Sequence, residues 1–222
     1  LLSVATAVIR PGAVSIIEDV MQGKPKDNGY EALNAIMADS FGYMVYQEQQ
    51  IKFLTEFAGM SGSEADTIRR AISKKKRDVM EHEVPIIKEK FIKNMMDRYG
   101  DTREKIEPIA DEFMEIFISS AQYSFNKSHS VAYSYISFET AWLRTYYPLE
   151  YITAGLQIWN NNLEKTNRLI TYAKTRNITI EQPKFRYSKG DYFFNKETNT
   201  IYQGTAPIKD NNAQTGDMLY TL

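Results

Sequence analysis

Two polar motifs in this chain have residue types that suit the binding of an anion. In the first, residues 126–130 read Asn-Lys-Ser-His-Ser and come directly before a strongly patterned apolar stretch. If that stretch is a helix, the unpaired N–H groups of its first turn and the nearby lysine favour an anion such as phosphate. The same residues also suit an ordinary capped and solvated helix start, because Ser and Asn commonly cap helices without binding a ligand.

The second motif is basic: six of the nine residues from Arg69 to Arg77 are Lys or Arg, and none is acidic. On one helix, Arg70, Lys74 and Arg77 would share a face, where like charges repel unless an anion joins them. The whole chain has 27 Lys and Arg against 28 Asp and Glu, so this concentration of charge is local. A solvated charged face and a phosphate-binding face both remain open from these residues alone.

Several other kinds of site lack the residues they need. The chain has no Cys, only two His and no GxxxxGK[ST] run, which leaves no thiolate site, no histidine metal site and no P-loop. A two-metal site needs carboxylates that can share cations. The nearest pairs, Glu81 with Glu83 and Asp111 with Glu112, fall on predicted helices where neighbouring side chains diverge. The sequence therefore offers groups suited to phosphate and no visible catalytic metal site.

The element that positions the first motif is a helix that begins near residue 128 and ends near Tyr147-Pro148. Ser128 or Ser130 is the expected N-cap. A wide apolar stripe predicts that the helix is buried around most of its circumference, with Trp142 in the core. The stripe contains Val131, Tyr135, Phe138, Trp142 and Tyr146.

The rest of the chain also predicts a mainly α fold. Helices are expected from Gln47 to a stop at Gly59, from a cap at Ser63, over residues 77–99 and over residues 101–120. After residue 183 the pattern changes to a β-hairpin across residues 191–202. We therefore expect a helical core over residues 1–182 and a small β-containing subdomain, truncated at its C-terminus, over residues 183–222.

The ends and the hydropathy of the chain bear on its location. No apolar run approaches the roughly 18 residues that span a membrane, and no signal peptide is visible. The sequence begins on Leu1 rather than Met, and both ends look like cuts within a longer protein. We expect a cytoplasmic protein with no membrane partner.

A set of motifs occurs in one order along the chain, with specific residues at each position. They are Arg10-Pro11-Gly12, Tyr46-Gln47-Glu48-Gln49, Gly62-x-Glu64-Ala65-Asp66-x-x-Arg69-Arg70-Ala71-x-x-Lys74-Lys75-Lys76, Phe125-Asn126-Lys127-Ser128-His129-Ser130, Ala141-Trp142-Leu143 and Tyr147-Pro148. This series, over roughly residues 3–210, closely resembles the fingers domain of the bacterial C-family replicative DNA polymerases, the DNA polymerase III alpha subunits. The combination of the basic and Asn-Lys-Ser-His motifs at compatible spacing is specific.

The resemblance implies a site. It assigns Arg69, Arg70, Lys74 and Lys75 to the triphosphate of the incoming nucleotide or to the template strand. It places Asn126, Lys127, Ser128 and His129 along the nucleotide pocket, and Arg10 and Tyr46 near a junction between palm and fingers. The metal-binding aspartates of the family lie in the palm domain, upstream of this chain.

The resemblance also implies the reaction and the partners. The parent enzyme would be a template-directed, Mg²⁺-dependent DNA polymerase, with metal ligands outside this chain, and the chain alone would bind no cofactor and be inactive. Its partners would be template and primer DNA, dNTP, the palm of the same parent chain and, through other regions, a sliding clamp. A non-catalytic helical nucleic-acid-binding module and a helical scaffold are the alternatives from other classes.

The chain departs from the family pattern in a few places. Ser73 stands where the family usually has Gly, and Ala13 where a second Pro is common. Residues 209–212 replace a Gly-rich turn, and the loop at residues 24–35 is short. These departures predict a divergent, phage-like member.

Overall fold

The computed structural model describes residues 1–9, 13–208 and 210–221. Within them the chain is mainly helical with one three-stranded sheet, which confirms the predicted fold class. It divides into two compact units, Leu1–Ile136 and Ser137–Leu222. This division does not coincide with the boundary expected near residue 183, and that domain organisation stays a prediction. Arg10 and Lys209 lie outside the described residues.

The first unit consists of helices joined by short turns. Their bounds are α1 Leu2–Val8, α2 Val14–Met21, α3 Glu31–Met37, a 3₁₀ turn at Ala38–Ser40, α4 Gln47–Ala58, α5 Gly62–Ser73, α6 Arg77–Tyr99, α7 Arg103–Ser120 and the first half of α8 Lys127–Tyr146. The helix ends follow local rules. Gly59 and Gly100 end α4 and α6 with φ of 62° and 69°, a left-handed conformation that glycine adopts without strain.

The core of the first unit is built on the aromatic residues of α4, α6 and α7. Phe53, 0% exposed, lies at its centre. Its ring centroid is 4.8 Å from that of Phe113, 5.4 Å from that of Phe117 and 5.7 Å from that of Phe91. This cluster fixes α4, the helix that positions both polar motifs.

The helix α5 begins earlier than the sequence predicted. Ser61, not Ser63, is the N-cap: its backbone N–H donates to Glu64 Oε2 at 2.8 Å, and its Oγ accepts from the Glu64 N–H at 3.4 Å. This reciprocal arrangement is a capping box, which satisfies two backbone donors at the helix start. The sequence Ser61-x-x-Glu64 carried that signal.

The second unit contains the rest of α8, then α9 Pro148–Ile158, α10 Leu163–Thr175 and α11 Ala213–Tyr220. Its sheet has the order β1-β3-β2, with β1 Thr179–Glu181, β2 Phe193–Asn195 and β3 Thr200–Tyr202. Strands β2 and β3 are antiparallel, as the predicted hairpin requires, and β1 adds a parallel strand that the sequence reading missed. The inner face packs on α9 and α10 through Ile152, Leu156 and Ile201, each 0% exposed.

The prediction that α8 is buried was wrong. Of its described side chains only Ser130 is buried, while Trp142 is 43% exposed and Phe138 is 62% exposed. The sequence period correctly indicated an apolar stripe, but a period says nothing about what covers the stripe. Among the described residues this stripe faces solvent, so Trp142 is not a core residue.

Candidate functional site

The residues just before α8 lie beside the start of α4. The backbones of Tyr46 and Phe125 form an isolated parallel bridge. In it the Gln47 N–H donates to the Phe125 carbonyl at 3.0 Å, and the Phe125 N–H donates to the Val45 carbonyl at 2.9 Å. This pairing places the Asn-Lys-Ser-His motif against the Tyr-Gln-Glu-Gln motif, although they are far apart in sequence.

The N-terminus of α8 binds an anion within the chain itself. The Glu48 carboxylate accepts from the Lys127 backbone N–H at 3.1 and 3.0 Å, and from the Asn126 side-chain amide at 3.1 Å. Asn126 Oδ1 accepts from the His129 N–H at 2.9 Å. The N-cap is therefore Asn126 rather than Ser128 or Ser130. The buried Ser130 instead donates its hydroxyl to the Ser3 carbonyl.

The other side chains of this motif are at or near the surface. Lys127 Nζ pairs with Asp39, and this hydrogen bond raises the pKa of Lys127, which therefore stays protonated. Ser128 and His129 are exposed. The ring of His129 lies 4.4 Å from that of Tyr133, centroid to centroid. The motif thus presents a cation, a hydroxyl and an imidazole near one helix start.

Tyr46 has a different environment from these exposed residues. It is only 1% exposed, and its hydroxyl lies 3.0 Å from Ser3 Oγ. Its side chain therefore belongs to the core formed with α1 and α2. The predicted place of Tyr46 and Arg10 at a palm junction stays a prediction.

The basic run does not form one helical face, so that prediction was wrong. Helix α5 ends at Ser73, and Lys75 adopts φ of 53°. The Lys76 N–H donates to the Ala71 carbonyl and the Lys75 N–H to the Ile72 carbonyl, a Schellman motif that closes the helix. Glycine usually occupies the left-handed position of this motif, because a Cβ there costs about 1–2 kcal/mol. The lysines of the run consequently lie on the turn between α5 and α6.

Two of the three arginines in the run, Arg69 and Arg70, are held by Asp66. Arg69 donates to Asp66 Oδ1 from Nη2 at 2.7 Å and from Nε at 3.1 Å. Arg70 Nη2 lies 2.8 Å from Asp66 Oδ2. The side chain of Arg69 is 8% exposed and that of Arg70 is 67% exposed. Hydrogen bonding, first from Arg69 and then from Arg70, lowers the pKa of Asp66. The carboxylate therefore fixes one buried and one exposed guanidinium.

The helical hairpin of α4 and α5 relates the two motifs. Both helices have 12 residues and pack against each other, and only residues 59–61 connect them. Helices joined by so short a turn are antiparallel neighbours. The C-terminal end of α5, with the lysine turn, thus lies at the same end of the hairpin as Glu48 and the start of α8. Sequence reasoning identified both motifs but missed Glu48 and Asp66, which organise them.

Two properties of the described residues concern other kinds of site. No group of three or more His, Asp or Glu among them is placed to hold a metal ion. Among the described helices, none combines the length and the hydropathy that a membrane span requires.

Comparison with known proteins gives consistent relatives. Residues 2–98 match the family model for the finger domain of the bacterial DNA polymerase III alpha subunit. The DNA polymerase III subunit alpha of Halalkalibacterium halodurans is 35% identical over 208 residues, which are 91% of this chain and 18% of that protein. The corresponding subunit of Aquifex aeolicus is 34% identical over 220 residues, which are 96% of this chain and 18% of that subunit.

A third relative shows the same proportions. The DNA polymerase III subunit alpha of Ureaplasma parvum is 31% identical over 212 residues, 94% of this chain and 21% of that protein. The chain thus spans about a fifth of the length of these curated relatives. These relatives are bacterial proteins, and they give no support to the phage-like origin that the departures from the family pattern predicted. The chain belongs to the family of bacterial DNA polymerase III alpha subunits, and its residues 2–98 match the finger domain of that family.

Proposed function

We propose that this chain is the part of a template-directed DNA polymerase that binds the triphosphate of the incoming dNTP. The observation that carries the proposal is the short turn between the packed helices α4 and α5, since in an antiparallel pair the end of α5 lies where α4 begins with Glu48, the partner of the Lys127 N–H. A triphosphate places its charge on three adjacent phosphoryl groups, so cations that bind it must converge. The sequence similarity to DNA polymerase III alpha subunits also supports a role in a DNA polymerase.

Different residues in the basic run have different proposed roles. The exposed Arg70, Lys74 and Lys75 contact phosphate oxygens directly. Lys75 supplies a cation at a left-handed position, where the more usual glycine would have no charge. Arg69 belongs to the same set, and its contribution requires phosphate to replace Asp66 as the partner of its guanidinium.

The residues at the start of α8 complete the proposed pocket. Asn126, Lys127, Ser128 and His129 line it, with Lys127 as the cation and Ser128 and His129 as hydrogen-bonding groups. The N–H group that now donates to the Glu48 carboxylate already binds an anion. We propose that a phosphate oxygen competes with this carboxylate when nucleotide binds, since both ligands are anionic acceptors.

The proposed reaction is attack of the primer 3′-hydroxyl on the α-phosphate, with release of pyrophosphate. This chain contributes positioning and neutralisation of phosphate charge, which are the main protein contributions to such transfers. Mg²⁺, held by residues of the full-length enzyme outside this chain, supplies charge neutralisation at the reacting phosphate. The 222-residue chain alone is accordingly expected to give no template-dependent primer extension with Mg²⁺ above a buffer control.

The proposed partners follow from the same role. They are template and primer DNA, dNTP and the palm of the parent chain, with a sliding clamp reached through other regions, in the cytoplasm. The palm is the proposed cover for the exposed apolar stripe of α8, and the proposed junction near Arg10 and Tyr46 is separate from that stripe. Contiguous exposed aromatic surface of this kind usually marks a contact with other protein.

Steady-state kinetics of the full-length polymerase test the proposal. Arg70→Ala and Lys127→Ala should each weaken use of dNTP by roughly ten- to a hundredfold, because a charge-assisted contact is worth about 1.5–3 kcal/mol. The affinity for primer–template duplex should change little. Lys93→Ala is the control, since this exposed lysine of α6 lies about 24 Å along the helix from Arg77.

The same experiment identifies a general nucleic-acid-binding module. Such a module would lose duplex affinity in both variants, with a shallower dependence on salt and no change in dNTP use. That outcome, or equal effects in the Lys93 control, would refute nucleotide binding by these residues.

A further inference from the structure

One face of the sheet in the second unit carries stacked aromatic rings. Phe193 on β2 and Tyr202 on β3 are cross-strand neighbours, with ring centroids 4.9 Å apart and planes only 14° from parallel. The adjacent residues Tyr192 and Ile201 are buried on the core side, 4% and 0% exposed. Because side chains alternate between the two faces of a sheet, Phe193 and Tyr202 belong to the outer face, where both are half-buried.

A lysine and two more tyrosines surround this pair. Lys189 Nζ lies 5.2 Å from the ring centroid of Phe193 and 5.2 Å from that of Tyr220. Tyr220 meets Phe193 edge-on at 6.1 Å. Tyr187, 70% exposed, lines the same open groove. Within the described residues Lys189 has no carboxylate partner, so its charge is shared with ring faces.

The groove is held together by close backbone packing. A Cβ on Gly190 would lie 2.1 Å from the Ala213 carbonyl oxygen, and one on Gly216 would lie 2.7 Å from the Cα of Gly190. Asp217 Oδ1 accepts from the Gly190 N–H at 2.8 Å. These contacts seat α11 against the loop before β2, and they bring Tyr220 beside Phe193. The aromatic groups are thus fixed by the fold.

The charge near the groove favours an anionic ligand. Residues 184–197 contain four cations, Lys184, Arg186, Lys189 and Lys196, and two acids. Lys184 and Lys196 are paired with carboxylates, at 3.0 and 3.1 Å, which leaves Arg186 and Lys189 as the cations without such a pair among the described residues. Of these two, Lys189 lines the groove, together with the acidic Glu197. Aromatic faces interleaved with unpaired cations are the recognition chemistry of single-stranded nucleic acid, where bases stack and phosphates meet positive charge.

We propose that this face, made by Tyr187, Lys189, Phe193, Tyr202 and Tyr220, binds single-stranded nucleic acid by stacking bases on its aromatic rings. It lies outside residues 2–98, which match the finger-domain model. In a polymerase the unpaired template is a strand of this kind. That source rests on the proposed function, whereas the stacking site does not.

Fluorescence anisotropy with the 222-residue chain and a labelled twelve-residue oligothymidine at low salt tests the site. Tyr187→Ala and Tyr220→Ala should each weaken binding by roughly five- to a hundredfold, the effect of losing one stacked base. Lys189→Ala should weaken binding and reduce the salt slope by about one. Trp159→Ala is the matched control and should change affinity less than twofold. This ring is also exposed and lies 3.1 Å from a lysine Nζ, but it is outside the groove.

Competitors separate the possible ligands. A duplex of the same length and dTTP should both compete at least tenfold more weakly than unlabelled oligothymidine. Equal competition by duplex would show binding by charge alone, and equal competition by dTTP would show a mononucleotide site, and either result overturns the proposal. Unchanged affinity in all three groove variants also overturns it, as does the absence of binding. Circular dichroism melts confirm that each variant is folded, and the exposed Lys189 supplies a variant that leaves the sheet intact.

These failures are distinguishable from failure of the dNTP proposal. Loss of the sheet-face site would leave the kinetic effects at Arg70 and Lys127 unchanged, because those residues belong to the first unit. Conversely, a strand-binding sheet face would stand even if those two residues had no effect on dNTP use.

Discussion

Replacing Glu48 with alanine tests the contact that joins α4 to the start of α8. The carboxylate accepts from two donors, the Lys127 backbone N–H and the Asn126 side-chain amide, at 3.0–3.1 Å. Hydrogen bonds to a charged group contribute about 1.5–3 kcal/mol when buried, and helix caps about 0.5–2 kcal/mol. Since this contact is only partly buried, we expect Glu48→Ala to lower the free energy of unfolding by about 1–2 kcal/mol.

The matched control is Glu56→Ala on the same helix. Among the described residues, the Glu56 side chain makes only a surface pair with Lys52 at 3.6 Å, and such pairs contribute about 0–1 kcal/mol. Urea denaturation followed by far-UV circular dichroism measures both variants. Equal losses, or a loss below about 0.5 kcal/mol for Glu48→Ala, would refute the reasoning that this carboxylate anchors the start of α8.

Three further predictions follow from burial and pairing. Trp142→Ala should lower the free energy of unfolding of this chain by less than about 1 kcal/mol, and Phe53→Ala, which removes a buried ring, by about 3–5 kcal/mol. A larger loss for Trp142→Ala than for Phe53→Ala in urea melts would mean that α8 belongs to the core. Gln49→Ala should cost about 2–4 kcal/mol, since the buried Gln49 Oε1 accepts two backbone N–H groups at 2.8 Å; a melt within 0.5 kcal/mol of wild type would contradict this. The hydrogen bond from Arg69 lowers the pKa of Asp66, so its stabilisation is present above about pH 4 and lost as pH falls further. Asp66→Asn should therefore lose less stability than wild type between pH 7 and pH 3, and a parallel loss in denaturant melts would contradict the pairing.

Local signals predicted the helices well. The bounds of α4 and α6 followed from apolar periodicity and from Gly59 and Gly100, whose conformations end the helices. The β2–β3 hairpin followed from two short β-prone runs around a polar turn. The strand β1 has only three residues and pairs in parallel with a distant strand, so it carries no local signal of comparable strength.

The site was harder to predict because its geometry depends on contacts that are distant in sequence. Glu48 lies 79 residues from Lys127, and nothing in either motif requires them to meet. The turn at Lys75 was missed because a left-handed conformation is rare for lysine and side-chain type does not reveal it. Asp66 could have been found, since it precedes Arg69 and Arg70 by three and four residues, the spacing of helical ion pairs.

The central claim is that both motifs bind the same triphosphate, and nuclear magnetic resonance tests it most directly. Titration of dNTP into the isotope-labelled 222-residue chain should shift the backbone amides of residues 74–77 and of residues 127–130 with one common dissociation constant. The matching nucleoside, which has no phosphate, should shift neither set. Shifts confined to one motif, or two sets that saturate at different dNTP concentrations, would contradict a shared site.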